Sequence, residues 1–173
     1  QELPDKSERR MVNVMTAEQE KVYWSYFVQG KKEFASALKA HGFQGSRLKI
    51  LAILTRLRQI ACEPSLFLEN YQGGSGKLEM LEEVVSEAVG AGHRILIFSQ
   101  FTQMLVKIAA VLQGLKIEYF YLDGSTPAAE RMRLVRAFNS GSRQVFLISL
   151  KAGGTGLNLS GADMVIHYDP WWN

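Results

Sequence analysis

The segment Lys151-Ala-Gly-Gly-Thr-Gly-Leu-Asn158 has the most to offer chemically, because it follows an apolar run, Val145-Phe-Leu-Ile148, and is built of small residues beside a cation. Successive small residues can expose backbone amides that cradle phosphate oxygens. The alternative is a loop whose glycines only permit a tight turn. It is not a dinucleotide fingerprint, since Leu159 stands where the third glycine counted from Gly154 and Gly156 belongs. Gly73-Gly-Ser-Gly-Lys77 is not a phosphate loop either: that spacing needs Gly at 71 and Ser or Thr at 78, where the chain has Tyr71 and Leu78. No Asp-Glu pair closes an apolar strand to hold Mg²⁺. His41, His93 and His167 are scattered and Cys62 is the single cysteine, so no metal site is expected. Ser99 and Ser149 lack a nucleophile elbow and read as hydrogen-bonding groups. Trp171 and Trp172 are adjacent at a strand end and cannot both enter one core. Either one of them is available for a contact, or they pack against further chain.

The elements that must position these residues are legible as two patterns. Residues 1–73 read as helical. Thr16-Ala-Glu-Gln19 is a capping box opening a helix to about Gly30, and a second helix runs from Ser46 to about Ala61 with Leu51, Leu54, Leu57 and Ala61 at helical spacing. Pro64 ends it, and Tyr71-Gln-Gly-Gly-Ser-Gly76 is a turn-rich break. In residues 74–173, amphipathic helices over Leu78–Ala88, Leu105–Leu112 and Val135–Phe138 alternate with four apolar runs. These are Ile95–Phe98, Glu118–Leu122, Val145–Ile148 and Met164–His167, and the third helix is expected to start at Thr126-Pro127, with Thr126 as its cap. This alternation predicts an α/β three-layer fold, a parallel sheet with helices on both faces. Ligands in such folds sit beyond the carboxyl ends of the strands. Ser99-Gln100, Asp123–Thr126, Ser149–Lys151 and Tyr168-Asp169 all fall there.

Composition narrows the classes. The longest stretch without a charged residue, Ile95 to Val106, is 12 positions long, against the roughly 18 or more of a membrane-spanning helix, so no membrane is expected. With one cysteine and no leader-like start, an intracellular setting is expected. The net charge of +3 allows a polyanionic partner without requiring one. Residues 1–73 hold 11 basic and 8 acidic side chains and the remainder 9 of each, so an anion site in the second part must be a local arrangement.

Taken together, Arg56-Leu-Arg-Gln-Ile60, Pro64-Ser-Leu-Phe67, Ser75-Gly-Lys-Leu78, Ile95-Leu-Ile-Phe-Ser-Gln-Phe101, Leu122-Asp-Gly-Ser-Thr126, Lys151–Leu159 and Asp169-Pro-Trp-Trp-Asn173 resemble the second RecA-like lobe of the Swi/Snf-type helicase-like ATPases. The resemblance covers essentially the whole chain, with seven motifs in the family's order. It implies ATP-driven translocation along double-stranded DNA and remodelling of proteins bound there. ATP and Mg²⁺ are then shared in the intact protein with the first RecA-like lobe, and this piece alone binds neither. It further implies that residues 1–73 are the linker and helical protrusion of lobe two, and that 74–173 are its RecA-like core, ending before the arginine-finger motif.

By the same resemblance, Ser99, Gln100, Ser149, Lys151, Gly153 and Gly154 lie along the DNA backbone with Trp171 and Trp172 at the same edge, while Gly156 and Asn158 approach the nucleotide across the cleft. Leu150 stands where a Thr is common, and Glu63 where many relatives have His. The implied location is nuclear in a eukaryote and cytoplasmic, nucleoid-associated, in a bacterium. From the residues alone, two other readings stay open. One is a free-standing α/β transferase binding a sugar nucleotide or phosphate through residues 151–158, with Asp123 or Asp169 as acid or base. The other is an interaction module without a ligand.

Overall fold

The computed structural model describes residues 5–154 and 156–170. Four strands, β1 (Ile95–Ser99), β2 (Tyr119–Leu122), β3 (Val145–Ser149) and β4 (Met164–His167), form one parallel sheet in the order β2-β3-β1-β4. Each lies within a residue of the run expected from sequence. Parallel neighbours need crossovers, and these are helices: α2 (Gly76–Gly90) leads into β1, α3 (Thr102–Gly114) joins β1 to β2, and α4 (Ala128–Asn139) joins β2 to β3.

Alternation within the strands sends side chains to two cores. Ile95, Ile97, Val145 and Leu147 face Leu81, Val85, Leu105, Ile108 and Leu112 of α2 and α3. Leu96, Phe120, Phe146 and Ile148 face Leu134, Val135 and Phe138 of α4. Burial of each such side chain contributes about 1.5–3 kcal/mol. Both faces of the sheet are therefore covered, which is the three-layer fold. One expected detail differs. Thr126 does not cap α4; its hydroxyl accepts from the Asp123 amide at 3.1 Å, inside the tight turn after β2, and the helix begins after Pro127.

The first helical span, α1 (Ala17–Cys62), carries the capping box at Thr16 and Gln19. It does not stop at Gly30 or restart at Ser46. The break is at Gly42, whose φ of 65° is open to glycine, and the two arms fold back on each other. A Cβ at Gly30 would sit 2.7 Å from Cγ2 of Ile53, so this glycine lets the arms approach, and Lys49 pairs with Glu33 at 2.9 Å. The inward stripe of the second arm is Ile53, Leu57 and Ile60, whereas Leu51 and Leu54 are exposed.

Candidate functional site

The carboxyl ends of the strands bring the expected polar residues to one edge. Because β1 and β3 are neighbours, Ser99 and Ser149 are register partners, which explains how residues fifty positions apart in sequence share a site. Both side chains are buried. The Ser99 hydroxyl donates to Asp169 Oδ1 at 2.5 Å and accepts from the Phe101 amide at 3.1 Å. The Gln100 amide donates to Asp169 Oδ2 at 3.0 Å, so one buried carboxylate ties the exit of β1 to the segment after β4. Ser149 caps α5 (Leu150–Gly153), a single helical turn, accepting from the Ala152 amide at 3.4 Å. Their hydroxyls thus shape the edge, and Lys151 is the exposed cation on it.

The glycine-rich segment divides by role. The turn uses the Ala152 amide on Ser149 and the Gly154 amide on Leu150 O at 3.2 Å, so the segment is not an open amide cradle along its whole length. A Cβ at Gly153 would lie 2.6 Å from Cε1 of Phe98, while one at Gly154 would meet nothing closer than 3.8 Å. Gly156 has φ +73° and open space around it. Asn158 is exposed, and its carbonyl accepts from Asn139 Nδ2 at 2.9 Å. Trp171 and Trp172 lie outside the described residues.

The two carboxylates that could serve a transferase are both occupied. Asp123 accepts from the Ser125 amide (2.8 Å) and hydroxyl (2.6 Å) and from Tyr121 Oη (3.1 Å). The Ser125 hydroxyl and amide, chiefly, hold its carboxyl below the usual range, which makes it a weaker base. Burial and the neighbouring carboxylate push the Tyr121 phenol up to about 12. Asp169 is 3% exposed and spent on Ser99 and Gln100. Among the described residues no cluster of three His, Cys, Asp or Glu side chains could hold a metal.

Sequence reasoning missed the contribution of the end of α1. Arg58 donates through Nη1 to Gln100 Oε1 at 3.1 Å and through Nη2 to the Pro170 carbonyl. The Cys62 carbonyl accepts from Tyr168 Oη (2.8 Å) and Ser75 Oγ (2.6 Å). Gln19, fully buried, donates to Ile60 O and Ala61 O at 3.0 and 3.2 Å and accepts from the Gly76 amide at 3.1 Å. Burial raises the Tyr168 phenol above its ordinary value, so it stays a donor, and raises the Cys62 thiol to about 12, so it is inert. These pairs are 13 to 112 residues apart in sequence, and no local pattern signals them.

A lobe of this topology, with its polar edge at the carboxyl ends of a parallel sheet, has the architecture of a RecA-like lobe. Residues 76–173 match the helicase conserved C-terminal domain, and the chain belongs to that family, in its Swi/Snf-type form. It is 37% identical over 99% of its length to a putative ATP-dependent helicase/translocase of Bacillus subtilis, YwqA, and 34% identical over 99% to the human DNA excision repair protein ERCC-6. The chain spans only 19% and 12% of those two relatives. Among solved structures, the Sulfolobus solfataricus SWI2/SNF2 ATPase core domain superposes with TM-score 0.84 at 31% identity, covering 99% of this chain and 36% of that one. The same core in complex with dsDNA gives TM-score 0.80 at 29% identity, covering 93% and 34%.

Proposed function

We propose that this chain is the second motor lobe of an ATP-driven translocase on double-stranded DNA. Residues 1–73 are then its linker and helical protrusion, and 74–173 its RecA-like core. The observation that carries the reading is the juxtaposition of Ser99-Gln100 and Ser149–Lys151 at the ends of register-paired strands. Two motifs that a DNA backbone would track thereby lie side by side on one edge. The superposition on a relative solved with dsDNA supports it.

On this reading Lys151 faces the phosphates, and Gln100, its side-chain oxygen held by Arg58 and its amide nitrogen buried, lies in the edge beside it. Ser99, Ser149, Gly153 and Gly154 hold the backbone beneath them, and Trp171 and Trp172 are proposed as further duplex contacts. Such contacts fix position on the duplex without reading bases. Gly156 and Asn158 form this lobe's side of the nucleotide cleft, whose phosphate loop and Mg²⁺ ligands belong to the first lobe. Mg²⁺ there would neutralise charge developing on the transferred phosphoryl group. The protein would act in the nucleus of a eukaryote or on the nucleoid of a bacterium; no helix among the described residues is long and apolar enough to cross a membrane. The transferase reading loses support because both of its carboxylates are committed to neighbouring groups.

The test is ATP hydrolysis by a protein carrying both lobes, titrated with duplex. Stimulation is expected, and Lys151→Ala should raise the duplex concentration needed for its half-maximum. Hydrolysis indifferent to duplex would refute the motor reading.

A further inference from the structure

We infer that Arg58 is a positioning residue for the duplex-facing edge, holding Gln100 and the Asp169-Pro170 segment in one arrangement with the helical hairpin. The inference rests on the proposed function. Arg58 and Cys62 are four apart near the end of α1 and so share one helix face. That face meets the chain leaving β4 at two points: the Arg58 guanidinium on the Pro170 carbonyl and the Cys62 carbonyl under Tyr168 Oη. It meets the chain leaving β1 at a third, Gln100 Oε1, 3.1 Å from Arg58 Nη1. Asp169 joins the same two exits from beneath, through Ser99 Oγ and the Gln100 amide.

The closed network is thus hairpin to Gln100, Gln100 to Asp169, and Pro170 back to the hairpin. Gln100 Nε2 is buried without a hydrogen-bond partner among the described residues, so the bond from Arg58 fixes which way the amide faces. Reversing the amide would set donor against donor. A planar guanidinium can serve two acceptors at once, whereas a lysine ammonium is a point charge on a flexible stem. The chemistry therefore asks for arginine, not merely for a cation. The functional consequence is that the protrusion and the tracking edge shift together.

The experiment compares this chain with R58K, R58M, Gln100→Ala and the double variants, by duplex titration at two salt concentrations and by the Gln100 side-chain amide signals in NMR without DNA. If Arg58 positions the edge, R58K weakens duplex binding by about fivefold with an unchanged salt slope and moves the Gln100 amide signals. In the cycle with Gln100→Ala the losses are less than additive. If Arg58 were only a phosphate-pairing cation, R58K would bind like wild type and R58M would flatten the salt slope by about one unit; that result, or additivity, overturns the assignment. Should R58M fail to fold, R58K and Gln100→Ala complete the cycle. Should the wild-type chain not bind duplex at all, the proposed function falls, and the DNA-free amide signals alone decide: unchanged in R58K, they refute the positioning role.

Discussion

Gly153 and Gly154 are neighbours in one loop, yet alanine should act on them with opposite sign. At Gly153 the new Cβ would stand 2.6 Å from Cε1 and 3.3 Å from Cδ1 of Phe98. Carbon atoms settle at about 3.5–4.0 Å, so the ring must retreat by about 1 Å, and it is stacked on His167 with centroids 5.4 Å apart. Overpacking of this kind costs about 1–3 kcal/mol. Alanine recovers about 0.5–1 kcal/mol over glycine in a helical turn. With the middle of each range the net loss is about 1 kcal/mol, a drop of about 2–4 °C in melting temperature for a chain this size.

At Gly154 the φ of −68° suits any residue and nothing stands closer than 3.8 Å. G154A should therefore match wild type or gain up to about 1 kcal/mol. Thermal melts of the two variants are the assay. Equal melting of G153A and wild type, or an equal fall in both variants, would refute the packing account. Loss of duplex binding by a stable G154A would instead show that phosphate approaches the backbone at that position.

Gly76→Ala should prise the arm at residues 5–15 off α2, because its Cβ would fall 1.8 Å from the backbone oxygen of Val14; faster proteolysis of the arm is the readout, and an unchanged digestion rate contradicts it. Asp123 contributes stability that is present above the ordinary carboxylate range and lost as pH falls through its lowered value. Asp123→Asn should accordingly melt slightly below wild type at pH 7, the effect being reduced by solvent exposure, with the gap narrowing only as pH falls below the ordinary carboxylate value, and a constant gap would exclude the linkage. These 173 residues alone should not turn over ATP, since phosphate loop, metal ligands and arginine are needed together; stoichiometric turnover free of contaminating ATPase would point to a self-contained enzyme. In a two-lobe protein, Trp171→Ala or Trp172→Ala should reduce duplex-stimulated hydrolysis. A stability loss near the roughly 3–5 kcal/mol of a buried tryptophan would mean packing instead.

How far the sequence could be read depended on whether the determining contact was local. The strands were legible because a sheet covered on both faces demands unbroken apolar runs, and Ile95–Ser99 and Val145–Ser149 supply them. Their carboxyl ends marked the edge at once. Gly30 misled as a helix end because its local cost is outweighed by the close approach of Ile53, and the break waited for Gly42, where φ is positive. Leu51 and Leu54 recur at helical spacing, but the hairpin is rotated so that Ile53 and Ile60 are covered instead. Thr126 has the right residue type for a cap, yet its hydroxyl went to Asp123 in the preceding turn. At the site, residue types located Ser99, Gln100, Ser149 and Lys151 on one edge. That both serine hydroxyls are turned inward depended on Asp169 and on the turn of α5, and the hold of Arg58 on Gln100 spans 42 residues.

The most direct test of the central claim is the salt dependence of duplex binding by this chain and by Lys151→Ala, with duplexes of unrelated sequence. The account predicts weak binding, equal across sequences, with log affinity falling by about 0.9 per phosphate contact for each decade of salt over one or two contacts. It predicts a slope about one unit shallower in Lys151→Ala. Sequence-dependent binding, or identical slopes for the two proteins, would contradict it.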